Sequence, residues 1–552
     1  MDQQAFRESL HSPISKLSPD VLWSIFSWNA DMFAPLEYDI DSGKQLTRQS
    51  ALQVTLVTSH VCHDWRSLLL ALPAIWGSVL RLDLLNEDGR NEITKRTGTA
   101  PLCLTGSLSG SDMRIGIFSR FLQANWPRIK KLHLRIKGYS TAHKSIWDVF
   151  LLSAPSLEWF SIAFEHKPPK EKSHPIFSRF GERPELFANR APRLQFLHLH
   201  GITIHRMRTF GLSQLHTLKL ESTGISALEA LDAIKQMHSL EFLRLHNLSG
   251  ELSPDLMEAK SIELRHLTYL GLYNSFRTDL TLARSIKAAE ACSLSFQPSL
   301  ISTGGILKQD IPLVCEMIDR YIKTHLSCGK DLSVEIDSRF ALRRHNLDHQ
   351  DKTSWLYSRN QQYLDLCCPH FIFTPFGLPG AEGTALPLLK SFLKMDFQSV
   401  KKLSLNIALR LHPSILSKII PMLDAFEAVE SLTATDMDLD RVINQEIGRN
   451  KPLFPNLRRL RLWDLFQDSD KLATDFQKFY ARRKAHHLPP LEALDLGHNP
   501  GADWTFLDDE VGLKVTWAWG TYEESVPGGG YICGSGNPGE LYFPDKCRLY
   551  MR

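Results

Sequence analysis

The chain is 552 residues long, with a formal net charge of +3, 43% hydrophobic residues and 23% charged ones. That near-balance of charge demands neither a nucleic-acid partner nor a membrane surface, and the apolar fraction is that of a chain able to fold. No uninterrupted apolar run approaches the ~18 residues of a spanning helix, and Met1 to Gln4 opens no basic-then-apolar leader, so residence in cytosol or nucleus is expected.

The first predicted elements lie between Pro13 and Trp76. Ser18 before Pro19 reads as an N-cap followed by proline at the first helical position, which predicts a helix from there. Val21, Leu22, Ile25 and Phe26 then recur at helical spacing and form one apolar face. Ser27 to Gln53, with Pro35, Asp39, Asp41, Ser42 and Gly43, reads as a polar loop. A second amphipathic run places Val57, Val61, Cys62, Trp65 and Leu69 on a common face, with His63, Asp64 and Arg66 between them, before Leu72-Pro73-Ala74-Ile75-Trp76. Helices this short bury little apolar surface alone and suit a surface that docks into a partner.

These residues resemble an F-box. Pro13-Ile14, Leu17, the Pro19-x-Val21-Leu22-x-x-Ile25-Phe26 helix, Val61-Cys62-x-x-Trp65-Arg66 and the trailing Leu72-Pro73-x-x-Trp76 follow that family's pattern in order, giving a module over 12–80. The 27–53 loop is longer than the family's usual spacing, a departure that costs little loop-closure entropy. The resemblance implies docking onto the Skp-family adaptor, and through it the cullin, of a cullin-RING ubiquitin ligase. The adaptor-binding set it implies is Pro13, Ile14, Leu17, Pro19, Val21, Leu22, Ile25, Phe26, Val61, Trp65 and Trp76. The same helices would also serve as an ordinary helical cap protecting the rest of the chain.

Residues 81–127 read as a connector and first capping repeat. From about residue 128 the chain becomes periodic: an apolar anchor, two variable residues, an apolar residue, one variable residue and another apolar residue. The unit appears as Ile129/Leu132/Leu134, Leu157/Phe160/Ile162, Leu194/Leu197/Leu199, Leu215/Leu218/Leu220, Leu240/Leu243/Leu245 and Leu267/Leu270/Leu272. It resumes as Val400/Leu403/Leu405, Leu457/Leu460/Leu462 and Leu491/Leu494/Leu496, with a weaker copy at Val429/Leu432/Ala434. Ile225, Leu228, Leu231 and Ile234 have helical period between two of these units.

This pattern resembles the leucine-rich repeat family; an ordinary α/β domain with Leu-rich strands is the other reading. The last two apolar residues of each unit would lie on the inner face of a short strand, and neighbouring units would stack to close a common core. The fold expected is therefore α/β, an N-terminal helical F-box followed by a curved leucine-rich-repeat solenoid with a β-rich C-terminal cap. The array would span 128–499 and the cap 500–552. Between Ser275 and Ser399 the pattern degrades, with strand remnants at Leu294/Phe296 and Leu332/Val334 and an insertion over about 339–398.

No catalytic pattern emerges. Gly528 to Gly530 and Gly534-Ser535-Gly536 lack the Lys-Ser/Thr of a phosphate loop and read as a flexible turn, and Ser327-Cys328-Gly329-Lys330 fails on the same ground. Arg482-Arg483-Lys484 with His486-His487 reads as a solvated basic helix end. Nine cysteines are sparse and odd in number, and Cys367-Cys368 with His370 lacks further ligands, so buried, reduced thiols, no metal and no cofactor are expected. A non-catalytic ligase subunit that binds a target protein through its repeats follows from the resemblance; a scaffold or regulatory interaction protein unconnected to ubiquitin is the alternative. Strand alternation points Trp159, Phe196, His198, Phe242, Arg244, Tyr269 and Tyr273 away from the core, and these form the expected target-binding track.

Overall fold

Ser18 opens α1 (Pro19–Asn29): its hydroxyl accepts from the Val21 N–H at 3.4 Å, and Pro19 occupies a position that needs no donor. The computed structural model describes residues 17–31, 51–109, 112–137, 143–165, 185–202, 212–252, 261–289, 292–296, 311–325, 331–336, 340–344, 363–366, 397–407, 423–435, 439, 442–443, 451–462, 469–498, 500–519 and 526–543. Pro13 and Ile14 lie outside them.

The run expected from Val57 to Leu69 is two helices, α2 (Ala51–Thr58) and α3 (His63–Leu70). Cys62 has extended backbone and its thiol accepts from the Trp65 N–H at 3.5 Å, so it caps α3 instead of continuing α2 and is exposed, not buried as expected of the cysteines. Val57 and Val61 are consequently exposed while Leu69 is buried. Phe26 meets Trp65 edge to face at 5.1 Å, and in α4 (Pro73–Ser78) the buried Trp76 donates its indole N–H to the Leu69 carbonyl at 2.8 Å. The Arg96 guanidinium, at the end of α5 (Glu87–Arg96), covers the other side of Trp76 at 4.7 Å.

The chain divides into two compact units, the first drawn chiefly from Met1–Glu251 and the second chiefly from Thr268–Asp351 and Tyr357–Arg552. In the first, β1 (Leu80–Arg81), β2 (Leu102–Ser109), β3 (Ile129–Lys137), β4 (Trp159–Glu165), β5 (Phe196–His200), β6 (Thr217–Glu221) and β7 (Phe242–His246) pair in chain order, all parallel. Leu132, Phe160, Leu197, Leu218 and Leu243 stand in one register row on the inner face, each buried. Each contributes about 1.5–3 kcal/mol by leaving water. Helices α6 (Asp112–Asn125), α7 (His143–Phe150) and α8 (Ala227–Ile234) fall between strands. Ser226 and Glu229 form a reciprocal capping box on α8, which buries Leu231 and Ile234 and leaves Leu228 exposed. β8 (Ile262–Leu264) also belongs to this unit.

The second unit holds β9 (Tyr269–Tyr273), α9 (Phe276–Ser285), β10 (Ile286–Ala288), β11 (Ser293–Phe296), α10 (Ile311–His325), β12 (Asp331–Ile336), β13 (Phe340–Arg344), β14 (Tyr363–Leu366), β15 (Lys402–Ile407), β16 (Ser431–Ala434), β17 (Arg459–Leu462), α11 (Ser469–Ala485), β18 (Ala493–His498), β19 (Lys514–Trp519) and β20 (Val526–Ile532). Their order in the sheet is β9-β11-β14-β13-β12-β15-β16-β17-β18-β19-β20. β13 is antiparallel to both neighbours, and β20 to β19.

The expected curved leucine-rich-repeat solenoid with a β-rich C-terminal cap is overturned by this topology, although the α/β class holds. A solenoid adds one parallel strand per repeat in chain order. Here Phe340–Arg344 and Tyr363–Leu366, expected within an insertion, enter the sheet between β11 and β12 and make it mixed, and the chain forms two units. The anchor pattern is blind to strands that lack the anchor and to strand direction.

Two further expectations change. Gly528 to Gly530 are strand, not a flexible turn: Trp517 on β19 lies against them, so close that a Cβ on Gly528 would sit 2.5 Å from its Cδ1 and on Gly529 2.7 Å from its Cζ2. Arg483 is not solvated. It is buried, and its guanidinium donates to the carbonyls of Phe454 at 3.1 Å, Leu457 at 2.9 Å and Pro489 at 3.3 Å, over the Phe479 ring.

Candidate partner-binding surfaces

The outward face of β3–β7 is a grid of three register rows. The first reads Lys131, Trp159, Phe196, Thr217 and Phe242; the second His133, Ser161, His198, Lys219 and Arg244; the third Arg135, Ala163, His200, Glu221 and His246. Trp159 and Phe196 stack face to face, centroids 3.4 Å apart and planes within 4°. Thr217 is short, and Lys219 from the next row reaches over the gap it leaves, its ammonium 5.5 Å from the Phe196 ring and 4.9 Å from the Phe242 ring. Burial and the neighbouring Arg244 bring Lys219 down to about 8.

Below this stack runs a polar network. The Ser161 hydroxyl, 2% exposed, lies 2.9 Å from Nδ1 of His133 and 3.0 Å from Nδ1 of His198. One hydroxyl proton serves one ring, so Ser161 donates to one imidazole and accepts from the other, and the two neutral rings hold opposite tautomers. Burial, with a contribution from Arg135, lowers His133 to about 4; burial also lowers His198 to about 3, overriding the attraction of Glu221. Burial pushes Glu221 up, but its 3.0 Å hydrogen bond with His200 and the charge of Arg244, whose Nε is 3.4 Å away, hold it at about 2. Arg244 is the cation that matters near neutral pH, since His198 is uncharged there. His246 is lowered by its burial. Ser161, enclosed between two neutral imidazoles, belongs to a buried network that orders the row above it.

Trp159, Phe196, His198, Phe242 and Arg244 thus come together on one face, half-buried against one another. Tyr269 and Tyr273 belong to the second unit, where their hydroxyls lie 3.2 Å apart and Tyr273 is 2.9 Å from the Ser295 hydroxyl. Both rings close over Gly271, where a Cβ would sit 2.8 Å from the Tyr269 hydroxyl. His133 and Glu221 were missed as site residues. The register row that joins Glu221 to His200 is visible in the strand alternation; the 3.0 Å approach is not.

On the helical module, Phe26 and Trp76 are buried, Leu17, Leu22 and Trp65 are half-buried, and Pro19, Val21, Ile25 and Val61 are exposed. Trp23, Trp28, Leu56, Val57 and Leu70, absent from the expected set, are exposed apolar residues on the same three helices, Trp28 at 87% and Val57 at 62%. No group of three His, Cys, Asp or Glu residues able to hold a metal ion occurs among the described residues, and no helix among them is long and apolar enough to cross a membrane. No protein-family model matches the chain, and no curated protein is found to match it.

Proposed function

We propose that the chain is the substrate-recognition subunit of an SCF-type cullin-RING ubiquitin ligase. α1–α3 dock onto the Skp-family adaptor, and the outward face of β3–β7 holds a target protein so that its lysines meet the ubiquitin carrier. In this role the chain supplies proximity and orientation and performs no bond chemistry. The reading starts from the F-box resemblance of residues 13–76. The observation that carries it is the exposure of Val21, Trp23, Ile25, Trp28, Leu56, Val57 and Leu70 on α1–α3, and of Val61 in the turn between α2 and α3, where Phe26, Leu69 and, from α4, Trp76 are already buried. Apolar side chains concentrated in this way call for a covering partner. A cytosolic or nuclear location belongs to the same proposal.

The test is calorimetric titration of the full chain with a purified Skp-family adaptor, and reconstitution with the cullin. Binding that is lost in a Trp23→Asp/Val57→Asp variant of unchanged circular dichroism supports the proposal. A native chain that binds no adaptor leaves the alternative, an interaction protein unconnected to ubiquitin.

A further inference from the structure

The three register rows on β3–β7 hold fifteen positions, of which Lys131, Arg135, Lys219 and Arg244 are basic and only Glu221 is acidic. The whole chain has 64 Lys and Arg against 61 Asp and Glu, so this excess is local and not a reflection of composition. Glu221 is turned to internal use by His200 and Arg244 and offers little repulsion to an incoming anion.

The aromatic row sharpens the choice of partner. Trp159 and Phe196 cover each other's faces, and Lys219 sits over the Phe196 and Phe242 rings. The stack runs across the strands, so what each ring turns outward is its edge. Ring edges carry the positive end of the quadrupole and favour carboxylates beside them. Bases of a single-stranded nucleic acid need open ring faces to stack on, and here Phe196 lies between Trp159 and Lys219 while Trp159 and Phe242 each have one face covered.

We propose that the outward face of β3–β7 takes an extended acidic segment of a protein, with carboxylates over Lys131, Arg135 and Arg244 and apolar or aromatic side chains against the edges of Trp159, Phe196 and Phe242. The proposal rests on the reading that this face holds the target and names the chemistry of that target. A segment laid across the strands follows the aromatic row: from β3 to β7 is about 19 Å at ~4.8 Å per strand, a length that about six residues of extended chain cover. Its side chains then alternate between facing the sheet and facing solvent, so residues two positions apart meet successive sites along the row.

The experiment is fluorescence anisotropy of a fluorescein-labelled random copolymer of glutamate and tyrosine, titrated with the full chain. Polyglutamate, a lysine–tyrosine copolymer and oligothymidylate serve as comparison probes. The glutamate–tyrosine copolymer should bind more tightly than the other three, and should weaken steeply between about 0.05 and 0.5 M salt. Lys131→Glu/Arg135→Glu should weaken it by about tenfold or more while leaving adaptor binding intact; if that variant misfolds, Lys131→Gln/Arg135→Gln should show a smaller loss in the same direction. Absence of copolymer binding, equal binding by the charge variants, or tighter binding of oligothymidylate would overturn the proposal, the last assigning the face to nucleic acid. Copolymer binding in a chain that fails to bind adaptor would remove the ligase reading and leave the chemistry of this face standing, whereas adaptor binding without copolymer binding would remove this inference alone.

Discussion

Replacing Glu221 with glutamine keeps the side chain's shape and removes the one negative charge among Lys219, Arg244 and His200. The carboxyl lies at about 2 against an ordinary 4.5, and at about 1.4 kcal/mol per unit that displacement sets an upper limit of about 3.5 kcal/mol. Solvent reaches this face, so screening reduces the expected effect to about 1–2 kcal/mol. The sign follows from the depressed value: the carboxylate's contribution is complete above pH 4.5 and disappears as pH falls towards 2. Amide hydrogen exchange in β5–β7 reads the local opening free energy directly and avoids averaging over two units. Native chain and Glu221→Gln should differ in protection at pH 7 and converge between pH 4.5 and 2. A difference absent at pH 7, or one that persists undiminished at the acid end, would show that Glu221 is not held by these cations.

Truncating Pro13, Ile14 and Leu17 together to alanine should weaken adaptor binding by several orders of magnitude, at about 1.5–3 kcal/mol per buried apolar side chain, and leave the strands' circular dichroism unchanged; unaltered affinity in the titration would remove the docking assignment. Arg483→Met keeps the apolar stem but strands the Phe454 and Leu457 carbonyls without their charged donor, so about 3 kcal/mol of stability should be lost on urea unfolding, and a loss below about 1 kcal/mol would contradict the burial argument. Asp279, on α9, accepts from the Asn274 N–H at 2.8 Å and its side-chain amide at 2.6 Å, yet burial raises it to about 7 from 3.8. A raised acid favours the folded state most below pH 4 and loses that contribution as pH climbs through 7, so melting temperature should fall over that interval in the native chain and stay flatter in Asp279→Asn. Gly528→Ala should cost about 1–3 kcal/mol by pushing Trp517 off the strand; a melting temperature equal to the native one would mean the ring moves freely.

The inner rows of β3–β7 were legible because period-two leucines and a fixed anchor encode both strand and facing, and the outward rows follow from the same alternation. The order of strands in the second unit was not, since a six-residue motif carries no information about which distant segment lies alongside it. Arg483 shows a signal that was present but overlooked. It shares a helical face with Phe476, Phe479 and Tyr480, all buried, and that phase outweighs the basic residues on either side of it. The glycine run at Gly528 is the reverse case, where composition suggests a turn and the close approach of Trp517, by its indole at Gly528 and Gly529 and by its backbone carbonyl at Gly528, leaves no room for side chains at those two positions. On the helical module, Trp28 and Val57 lie outside the F-box pattern, and their exposure is decided by how α1 to α3 close on each other.

The sheet order of the second unit has a consequence for how the chain emerges from a ribosome. β1 to β7 each find their partner in the strand made just before, so that part of the sheet can grow as fast as it is synthesised. β11 is different: it pairs with β9 at once, but its other edge waits until Tyr363–Leu366 has been translated, and β12, paired with β13 as soon as that strand is made, keeps its other edge open until Lys402–Ile407. During that interval unpaired backbone donors and acceptors stand open on a nascent sheet, the condition under which strands of neighbouring chains join. Slowed translation between β12 and β14 should therefore lower the soluble yield, whereas a pause of equal length between β4 and β6 should be harmless.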